Sequence, residues 1–236
     1  MAKERVLLKF SGENISGEGK SGHSRESLLS ITGEINSVAS RYEIAVVVGG
    51  GNVVRGSHYK KEVSDRNNIT PDLMGMAATI INALALQDFL EGEFNLDTRV
   101  MSAQRNEWLC EPYIMRRAVR HLEKGRIVIL AGGMGVPNLS TDSTMIMRAE
   151  ELEIKYVFKG TKVDGIYDRD PRQHPDAHFI PKIGYAEYVQ RKLKVVDPNA
   201  VNKAEEFNTK IRVFNCFTAG NLERVLRDEG IGSIIS

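Results

Sequence analysis

The stretch VVVGGGNVVRG (residues 46–56) joins a short apolar run to three consecutive glycines, with Arg55 four residues beyond the last glycine. The apolar run is typical of a strand covered on both faces, so the glycines follow the carboxyl end of a strand. Open α/β sheets bind ligands at this end, where successive bare N–H groups form a concavity for anions. The stretch lacks the Lys-Ser/Thr of a Walker A loop, and Val54 replaces the third glycine of the dinucleotide-binding pattern. Since a guanidinium binds phosphate through two hydrogen bonds, Arg55 favours a phosphate contact over a purely structural turn.

The composition argues against several classes of protein. The 236 residues are 42% hydrophobic with a formal net charge of +1, which allows a sizeable core and gives no support to a general nucleic-acid binder. Cys110 and Cys216 are too few for a disulfide framework, so we expect free, buried thiols. The N-terminus lacks the apolar stretch and cleavage site of a signal peptide, and we see no apolar run that approaches the length of a membrane span. We therefore expect a cytoplasmic protein with no nucleic-acid or membrane partner.

Short apolar runs alternate with longer amphipathic ones along the chain. The short runs predict strands at residues 5–10, 44–48, 99–101, 127–131, 156–158 and 211–214. Helical spacing predicts helices around residues 28–38, 72–90 and 112–123, the last followed by Gly125 as its C-terminal cap. Asp197 before Pro198 predicts the start of another helix. This alternation predicts an α/β fold, a three-layer α/β/α sandwich with a mostly parallel central sheet, and we expect a single domain over residues 1–236.

Two further strand ends carry features of a phosphate site. LKFSG (residues 8–12) places Lys9 at the end of a buried strand, an unusual position for a merely solvated charge. AGGMGVPNLSTDS (residues 131–143) is a long glycine-rich turn that leads into a helix, whose N-terminus favours anions. We expect one of the three residues 140–142 to cap this helix, whatever else the turn does.

A fourth strand end is polar and rich in turn residues. In FKGTKVDGIYDRDP (residues 158–171), Lys159 ends the strand, Tyr167 is suited to stack on a base, and Asp170 is suited to hold a sugar hydroxyl or a metal-bound water. Most acids here also fit ordinary Asp-Gly and Asp-Pro turns. We interpret residues 159–182 as one long functional loop.

The four strand ends together indicate phosphoryl transfer, in which catalysis consists mainly of positioning and charge neutralisation. The sequence shows no catalytic triad, zinc site or pair of carboxylates with acid–base spacing. The histidines have neither ligand spacing nor a nucleophile partner, and we interpret all five as surface residues: His23, His58, His121, His174 and His178. An acceptor that is already ionised at pH 7 would explain the lack of a general base.

Six segments resemble, in this order, the bacterial UMP kinases of the amino-acid kinase family, and they span nearly the whole chain: LLKFSGE, VVVGGGNVVRG, DLMGMAATIINALALQDFLE, STDS, FKGTKVDGIYDRDP and IRVFN. The resemblance implies transfer of the γ-phosphate of ATP to UMP in pyrimidine nucleotide biosynthesis, with Mg²⁺ entering as Mg-ATP. It implies an acceptor site mainly in residues 1–150 and an ATP site mainly in residues 151–236. It also implies a homohexamer and, in many members, activation by GTP and inhibition by UTP.

Carried over position by position, the resemblance assigns roles to individual residues. ATP would be bound by Lys9, Phe10, Ser11, Gly12, Gly51, Arg55, Thr161, Tyr167 and Asp170. UMP would be bound by Gly50, by Asp72 through its ribose hydroxyls, and by the loop of Met134, Gly135, Val136, Pro137, Asn138, Leu139, Ser140 and Thr141. Catalysis would use the cations Lys9, Arg55 and Lys159, with Asp142 and Asp197 orienting the lysines or the metal. No dedicated protein ligand for a metal is assigned.

The loop MGVPNLST departs from the family pattern, which commonly begins Thr-Gly-Asn-Pro and continues with two aromatic residues. Met134 supplies no hydroxyl, and Asn138 and Leu139 replace the aromatic residues. If base recognition relies on loop backbone groups and Thr141, we expect the preference for UMP over CMP to be kept; if it relies on the missing hydroxyl, we expect CMP to be accepted as well. The three glycines at 49–51 would lie between donor and acceptor, and we expect Gly50→Val to abolish activity while the protein stays folded.

Two alternative functions remain open on this fold. One is a kinase with a carboxylate or carbamate acceptor, which Asp72 and its context LMGMAAT argue against. The other is a non-catalytic nucleotide-binding protein. Retention of Lys9, Arg55 and Lys159 argues against it, because a pure binder needs no cations around a transferred phosphoryl group.

Overall fold

The computed structural model describes residues 3–17, 21–54 and 69–236. In these ranges the strands are β1 (Glu4–Phe10), β2 (Tyr42–Val48), β3 (Thr98–Ser102), β4 (Glu111–Pro112), β5 (Ile127–Ala131), β6 (Tyr156–Thr161), β7 (Ile166–Tyr167), β8 (Phe179–Ile180), β9 (Lys182–Ile183), β10 (Lys210–Asn215) and β11 (Ser233–Ile235). One sheet has the order β4-β3-β5-β2-β1-β6-β10-β11-β9, and β7 pairs with β8 in a separate ribbon. Neighbours from β4 to β10 run parallel, whereas β11 is antiparallel to β10. The predicted mostly parallel sheet is confirmed.

Helices cover both faces of the sheet. They are α1 (Gly12–Ser16), α2 (Arg25–Ala39), α3 (Ile69–Phe94), α4 (Met115–Glu123), α5 (Thr141–Glu151), α6 (Tyr185–Gln190), α7 (Pro198–Phe207) and α8 (Asn221–Leu226). Buried side chains of α1, α2, α3 and α8 form one core cluster with the sheet, and those of α4, α5, α6 and α7 form the other. The structure is therefore the predicted α/β/α sandwich.

Strand β1 shows why this sequence forms a central strand. Val6 and Leu8 pack into the first of these clusters, while Leu7 between them packs into the second. Residues that alternate between two apolar layers must all be apolar, which explains the continuous run in the sequence. Each such side chain contributes about 1.5–3 kcal/mol when it is fully buried.

Several element boundaries differ from the predictions. The helix expected at 112–123 begins at Met115, because residues 111–112 form β4 beside β3. Its end is as predicted: Gly125 has φ 74° and its N–H donates to the carbonyl of Leu122 over 2.8 Å. The segment 159–182 is not one long loop, since the end of β6, strands β7 and β8 and the start of β9 lie within it. Strands of two residues leave too short an apolar pattern to be recognised in the sequence.

Helix α3 corrects the expectation that no apolar run reaches the length of a membrane span. Over residues 69–94 it is long and apolar enough to cross a bilayer by length and composition, with a mean hydropathy of 1.5 in its most apolar window. In the structure it lies on the sheet, where Ile80, Ala83, Leu86 and Leu90 are buried. The core of the fold thus accounts for its apolar character.

The glycine turn after β2 is packed against α3. A Cβ atom added to Gly50 would lie 2.6 Å from the carbonyl oxygen of Gly75 and 2.8 Å from Cβ of Ala78. Among the described residues, a Cβ atom on Gly51 would meet no atom within 4 Å other than those of its chain neighbours. Gly50 is therefore required by the close approach of a helix, which argues against the expectation that Gly50→Val leaves the fold undisturbed.

We predict opposite effects on stability at these neighbouring glycines. Gly50→Ala should lower the free energy of unfolding by about 2 kcal/mol, because the methyl group overpacks a rigid helix backbone. Gly51→Ala, the matched control, should change it by less than about 0.5 kcal/mol. Urea unfolding followed by circular dichroism measures both. Equal stabilities of the two variants would contradict this packing argument.

Candidate active site

Two lysines meet one aspartate at the carboxyl ends of the central strands. Lys9 on β1 is paired in register with Lys159 on β6, so both side chains project from the same face of the sheet. Asp142, in the first turn of α5, lies between them: Lys9 Nζ is 2.8 Å from Oδ1 and Lys159 Nζ is 2.5 Å from Oδ2. All three residues are buried. The prediction that Asp142 orients the lysines thus matches their geometry.

Burial and charge act in opposite directions in this cluster. Burial raises the pKa of the Asp142 carboxyl group, but Lys159 and Lys9 outweigh it and hold that pKa well below its usual value. Burial is also the largest influence on Lys159, whose pKa falls to about 8 despite the attraction of Asp142. Within the described residues, Oδ1 of Asp142 accepts no aligned hydrogen bond. Its contact with Lys9 is therefore an ion pair whose attraction is chiefly Coulombic.

The segment before α7 completes the cluster through its backbone. Lys159 Nζ donates to the carbonyl of Val195 over 2.5 Å, and the N–H of Asp197 donates to Oδ2 of Asp142 over 3.1 Å. The side chain of Asp197 caps α7, as predicted, by accepting from the N–H of Asn199 over 2.8 Å. Its contact with Asp142 is made by its main chain, which a sequence does not reveal.

A cleft of about 270 Å³ opens beside the cluster. Its lining includes Lys9, Ser11, Lys159, Thr161 and Asp170, five residues predicted from the sequence to lie at an ATP site or to act in catalysis. The same cleft is lined by residues that the sequence analysis did not single out: Glu13, Asn14, Gly160, Lys162, Val163, Arg172 and Val195. Phe10 differs from its neighbours, because its side chain is buried in the core and only its backbone faces the glycine turn.

A second cleft of about 360 Å³ shares Val163, Asp170 and Val195 with the first and includes Tyr167. The Tyr167 ring is half-buried and packs edge-to-face with the Phe179 ring, with 5.4 Å between the two ring centres. The exposed side chain of Asp170 accepts from the N–H of Arg172 over 3.0 Å. The Thr161 hydroxyl donates to the carbonyl of Val163 over 2.7 Å. These residues lie along one continuous concave surface.

The loop predicted to hold the acceptor contacts the N-terminal half of α3, as the glycine turn does. Asn138 donates its N–H to Oδ2 of Asp72 over 2.7 Å, which brings these two predicted UMP residues together. Ser140 is the residue that caps α5, since its Oγ accepts from the N–H of Ser143 over 3.1 Å. Gly135, Val136, Asn138 and Leu139 are exposed, while Met134, Pro137, Ser140 and Thr141 are half-buried.

Two buried asparagines tie the glycine turn to α3, and the sequence analysis missed both. The side chains of Asn52 and Asn82 form a reciprocal amide pair, with N···O distances of 2.6 and 3.1 Å. Asn82 also donates to the carbonyl of Gly49 over 2.6 Å, and Asn52 donates to that of Gly22 over 2.7 Å. The sequence does contain one signal of this pair: Asn82 is a single amide in the apolar run ATIINALAL, and a buried amide needs hydrogen-bond partners.

The remaining predicted residues have mixed outcomes. Arg55 and His58 lie outside the described residues. His23, His174 and His178 are exposed as predicted, whereas His121 is buried, with its ring nitrogens near Glu111 and Arg126. Both cysteines are free, with Cys216 buried and Cys110 only half-buried. His121 lies on the inward face of α4, and the sequence analysis did not separate this face from the exposed one.

Comparison with known proteins gives consistent matches. The Amino acid kinase family matches residues 4–215. The chain is 43% identical to a uridylate kinase of Methylococcus capsulatus over 98% of this chain and 96% of that protein. It is 44% identical to a uridylate kinase of Campylobacter jejuni over 99% and 98% of the two chains.

Solved structures agree with these sequence matches. A UMP kinase from Bacillus anthracis has a TM-score of 0.92 at 33% identity and covers 100% of this chain and 97% of its own. A UMP kinase from Ureaplasma parvum has a TM-score of 0.90 at 33% identity, with 100% of both chains covered.

We predict that Asp142→Asn destabilises the protein strongly. Without the carboxylate, two buried lysines face each other with no anion between them, which should lower the free energy of unfolding by about 3 kcal/mol. The exposed pair of Lys203 and Glu206, 2.7 Å apart, gives the control, and Glu206→Gln should lower it by less than about 1 kcal/mol. Thermal unfolding at pH 7 measures both variants.

The pH dependence of the same experiment provides a second check. Because the pKa of Asp142 is lower in the folded state, its stabilisation is present above the unfolded carboxyl pKa of about 3.9 and is lost as the pH falls below that value. The difference between wild type and Asp142→Asn should therefore shrink at acidic pH. A difference that does not depend on pH would contradict the assignment.

Proposed function

This chain belongs to the amino acid kinase family, and we propose that it acts as a UMP kinase, which transfers the γ-phosphate of ATP to UMP and yields ADP and UDP. The observation that supports this most directly is the buried cluster of Lys9, Asp142 and Lys159 beside a cleft at the carboxyl ends of β1 and β6. Ligands bind at such strand ends in open α/β sheets. The names of the relatives supply the identity of the acceptor.

The chemistry requires positioned cations rather than an acid–base pair. Lys9 and Lys159 are fixed by Asp142 so that their charges face the place where the phosphoryl group would pass. Fixed charges in a buried site stabilise developing negative charge without reorganisation. The UMP phosphate is already ionised at neutral pH, so this reaction needs no general base. Within the part of the chain that the structure describes, nothing packs on the Cα of Gly51, which suits the approach of a phosphate chain.

Mg²⁺ would enter this site as a complex with ATP. No group of three or more His, Cys, Asp or Glu residues that could hold a metal occurs in the described ranges. The cleft instead presents Lys9, Lys159 and Lys162, which fits an anionic phosphate chain. Mg²⁺ usually keeps several waters and binds through substrate phosphates and one or two carboxylates, so this donor set fits Mg-ATP. When bound, the ion would neutralise phosphate charge.

UMP would lie between Asp72 and the loop that follows β5. Asp72 is half-buried and already receives a hydrogen bond from the backbone of Asn138, so a ribose and this loop would share one carboxylate. Tyr167 and Asp170 in the second cleft would hold the adenosine end of ATP. The proposed division puts the acceptor mainly in residues 1–150 and ATP mainly in 151–236, although Lys9, Ser11, Glu13 and Asn14 of the first part also line the first cleft.

The resemblance alone supports the remaining parts of the proposal. They are a cytoplasmic location, a homohexamer, activation by GTP and inhibition by UTP. The same fold with a carboxylate or carbamate acceptor is the second candidate, and a nucleotide-binding protein without catalysis is the third. The lysines Lys9 and Lys159 beside the cleft argue against the third, because a pure binder needs no cations around a transferred phosphoryl group.

The acceptor is tested by product chromatography after incubation with Mg-ATP and, separately, UMP, CMP, aspartate, acetylglutamate and carbamate. We expect UDP from UMP and no product from the three acceptors without a nucleotide. Turnover of CMP at a comparable rate would locate the loss of base selectivity in the loop MGVPNLST. A product from a carboxylate or carbamate acceptor, or no product at all, would contradict the proposed function.

We also predict that activity falls as the pH rises through about 8. Lys159 is buried with its pKa lowered to about 8, so it loses its charge above that pH and no longer neutralises the phosphoryl group. The ratio kcat/KM for Mg-ATP at saturating UMP reports ionisations of the enzyme before ATP binds. Its logarithm should decline above pH 8 in wild type. In Lys159→Arg the decline should be absent, since a guanidinium stays charged; the same decline in both proteins would exclude Lys159 as its source.

A further inference from the structure

The loop from Gly132 to Asn138 has a backbone that most residues adopt only with difficulty. Gly132, Gly133, Gly135 and Asn138 have φ values of 71°, 58°, 79° and 65°. The left-handed region is open to glycine and tolerated by asparagine, so the sequence permits this conformation without enforcing it. One bond inside the loop supports this conformation, from the N–H of Gly135 to the carbonyl of Gly132 over 3.0 Å, and contacts from outside the loop add to it.

Three such contacts come from helices. The N–H of Gly132 donates to Oγ1 of Thr79 over 2.8 Å, and the N–H of Asn138 donates to Asp72 over 2.7 Å, both on α3. The third comes from α5, where Nη2 of Arg148 donates to the carbonyl of Gly133 over 3.3 Å. Helix α3 thus holds the two ends of the loop, and Arg148 holds a point between them.

The guanidinium of Arg148 is itself fixed on two sides. Nη1 lies 2.6 Å from Oε2 of Glu151, and the guanidinium carbon lies 3.7 Å from the centre of the Tyr113 ring. The Tyr113 hydroxyl donates to the same oxygen of Glu151 over 2.6 Å, which closes the arrangement. The arginine side chain is 5% exposed. A planar cation held by a carboxylate and a ring face has little freedom left, so its remaining N–H groups point in set directions.

We propose that Arg148 is a positioning residue for the acceptor: through the Gly133 carbonyl it holds the loop 132–140 in the form that receives UMP. The inference rests on the proposed function, because that function places UMP at this loop. Arg148 acts through the loop and is assigned no contact with substrate. Glu151 already neutralises the charge of Arg148, and Tyr113 already packs against the plane of its guanidinium. The bond to Gly133 is therefore not needed to stabilise the arginine, and its effect is on the loop.

The substitution Arg148→Lys distinguishes positioning of the loop from the mere burial of a positive charge. A lysine keeps the cation and can still reach Glu151, but it lacks the planar fork that contacts Glu151 and Gly133 together while it stacks on Tyr113. The bond to Gly133 is long for a hydrogen bond from nitrogen to oxygen. A moderate effect is therefore expected rather than loss of activity.

The kinetic test compares Arg148→Lys with Arg212→Lys. Arg212 is another buried arginine that donates to a backbone carbonyl, that of Ile231, and pairs with a carboxylate, that of Asp228. We expect Arg148→Lys to raise KM for UMP about tenfold, while kcat and KM for Mg-ATP change less than about twofold. Arg212→Lys should leave all three within about twofold. Equal rises of both KM values in Arg148→Lys, or a rise of KM for UMP in Arg212→Lys as large as in Arg148→Lys, would overturn the proposal.

Hydrogen exchange measures the loop directly and does not depend on activity. Amide exchange in a peptide covering residues 132–140 should speed up about tenfold in Arg148→Lys and stay unchanged in Arg212→Lys. If wild type does not phosphorylate UMP, the proposed function fails and the exchange result still decides whether Arg148 holds the loop. Unchanged exchange in Arg148→Lys would refute the positioning role even with UMP turnover intact. If Arg148→Lys does not fold, Glu151→Gln weakens the same anchor, and it should raise loop exchange and KM for UMP together.

Discussion

Two lysines in register on neighbouring parallel strands place like charges side by side, and the carboxylate of Asp142 is what allows both to remain buried there. Opposed like charges weaken a sheet, and each buried ion loses several kcal/mol of hydration unless a partner compensates. Asp142 faces both ammonium groups, so the cluster carries a net charge of about +1 rather than +2 at neutral pH. The position of α5 follows from this requirement, because its first turn must deliver Asp142 to that point. The remaining positive charge therefore faces the cleft beside the cluster, where it would attract a polyphosphate.

The glycines around this site serve two different purposes. Added Cβ atoms at Gly12 and Gly50 would lie 2.2 Å from the Asn52 amide oxygen and 2.6 Å from the carbonyl of Gly75. These two positions allow the turns after β1 and β2 and helix α3 to approach each other closely. At Gly51 no atom of the described residues, apart from its chain neighbours, lies within 4 Å of an added Cβ, so their packing does not explain the lack of a side chain. The distinction matters for mutagenesis, because loss of activity at Gly50 would mix unfolding with chemistry and loss at Gly51 would not.

The sequence predicted what depends on neighbours along the chain and missed what depends on neighbours in space. Long apolar runs gave the central strands, and Asp197 before Pro198 gave the start of α7. The role of Asp142 was predicted only through the family resemblance, since its two partners come from strands far away in the chain. The amide pair of Asn52 and Asn82 and the stacking of Arg148 on Tyr113 arise only once the helices lie on the sheet. Short strands such as β4 were missed because two residues are too few to show the alternation of apolar and polar side chains that marks a strand.

The loop proposed to receive UMP has a backbone that depends little on its own exposed side chains. Its backbone is selected by contacts from Thr79, Asp72 and Arg148, none of which belongs to the loop. Its exposed side chains, Val136 and Leu139 among them, take no part in those three contacts. Backbone N–H and C=O groups of such a loop keep their directions when the side chains change, and they remain available as hydrogen-bonding groups. Replacement of a threonine by Met134 then removes one hydroxyl from the loop and leaves the groups that its helical anchors hold in place.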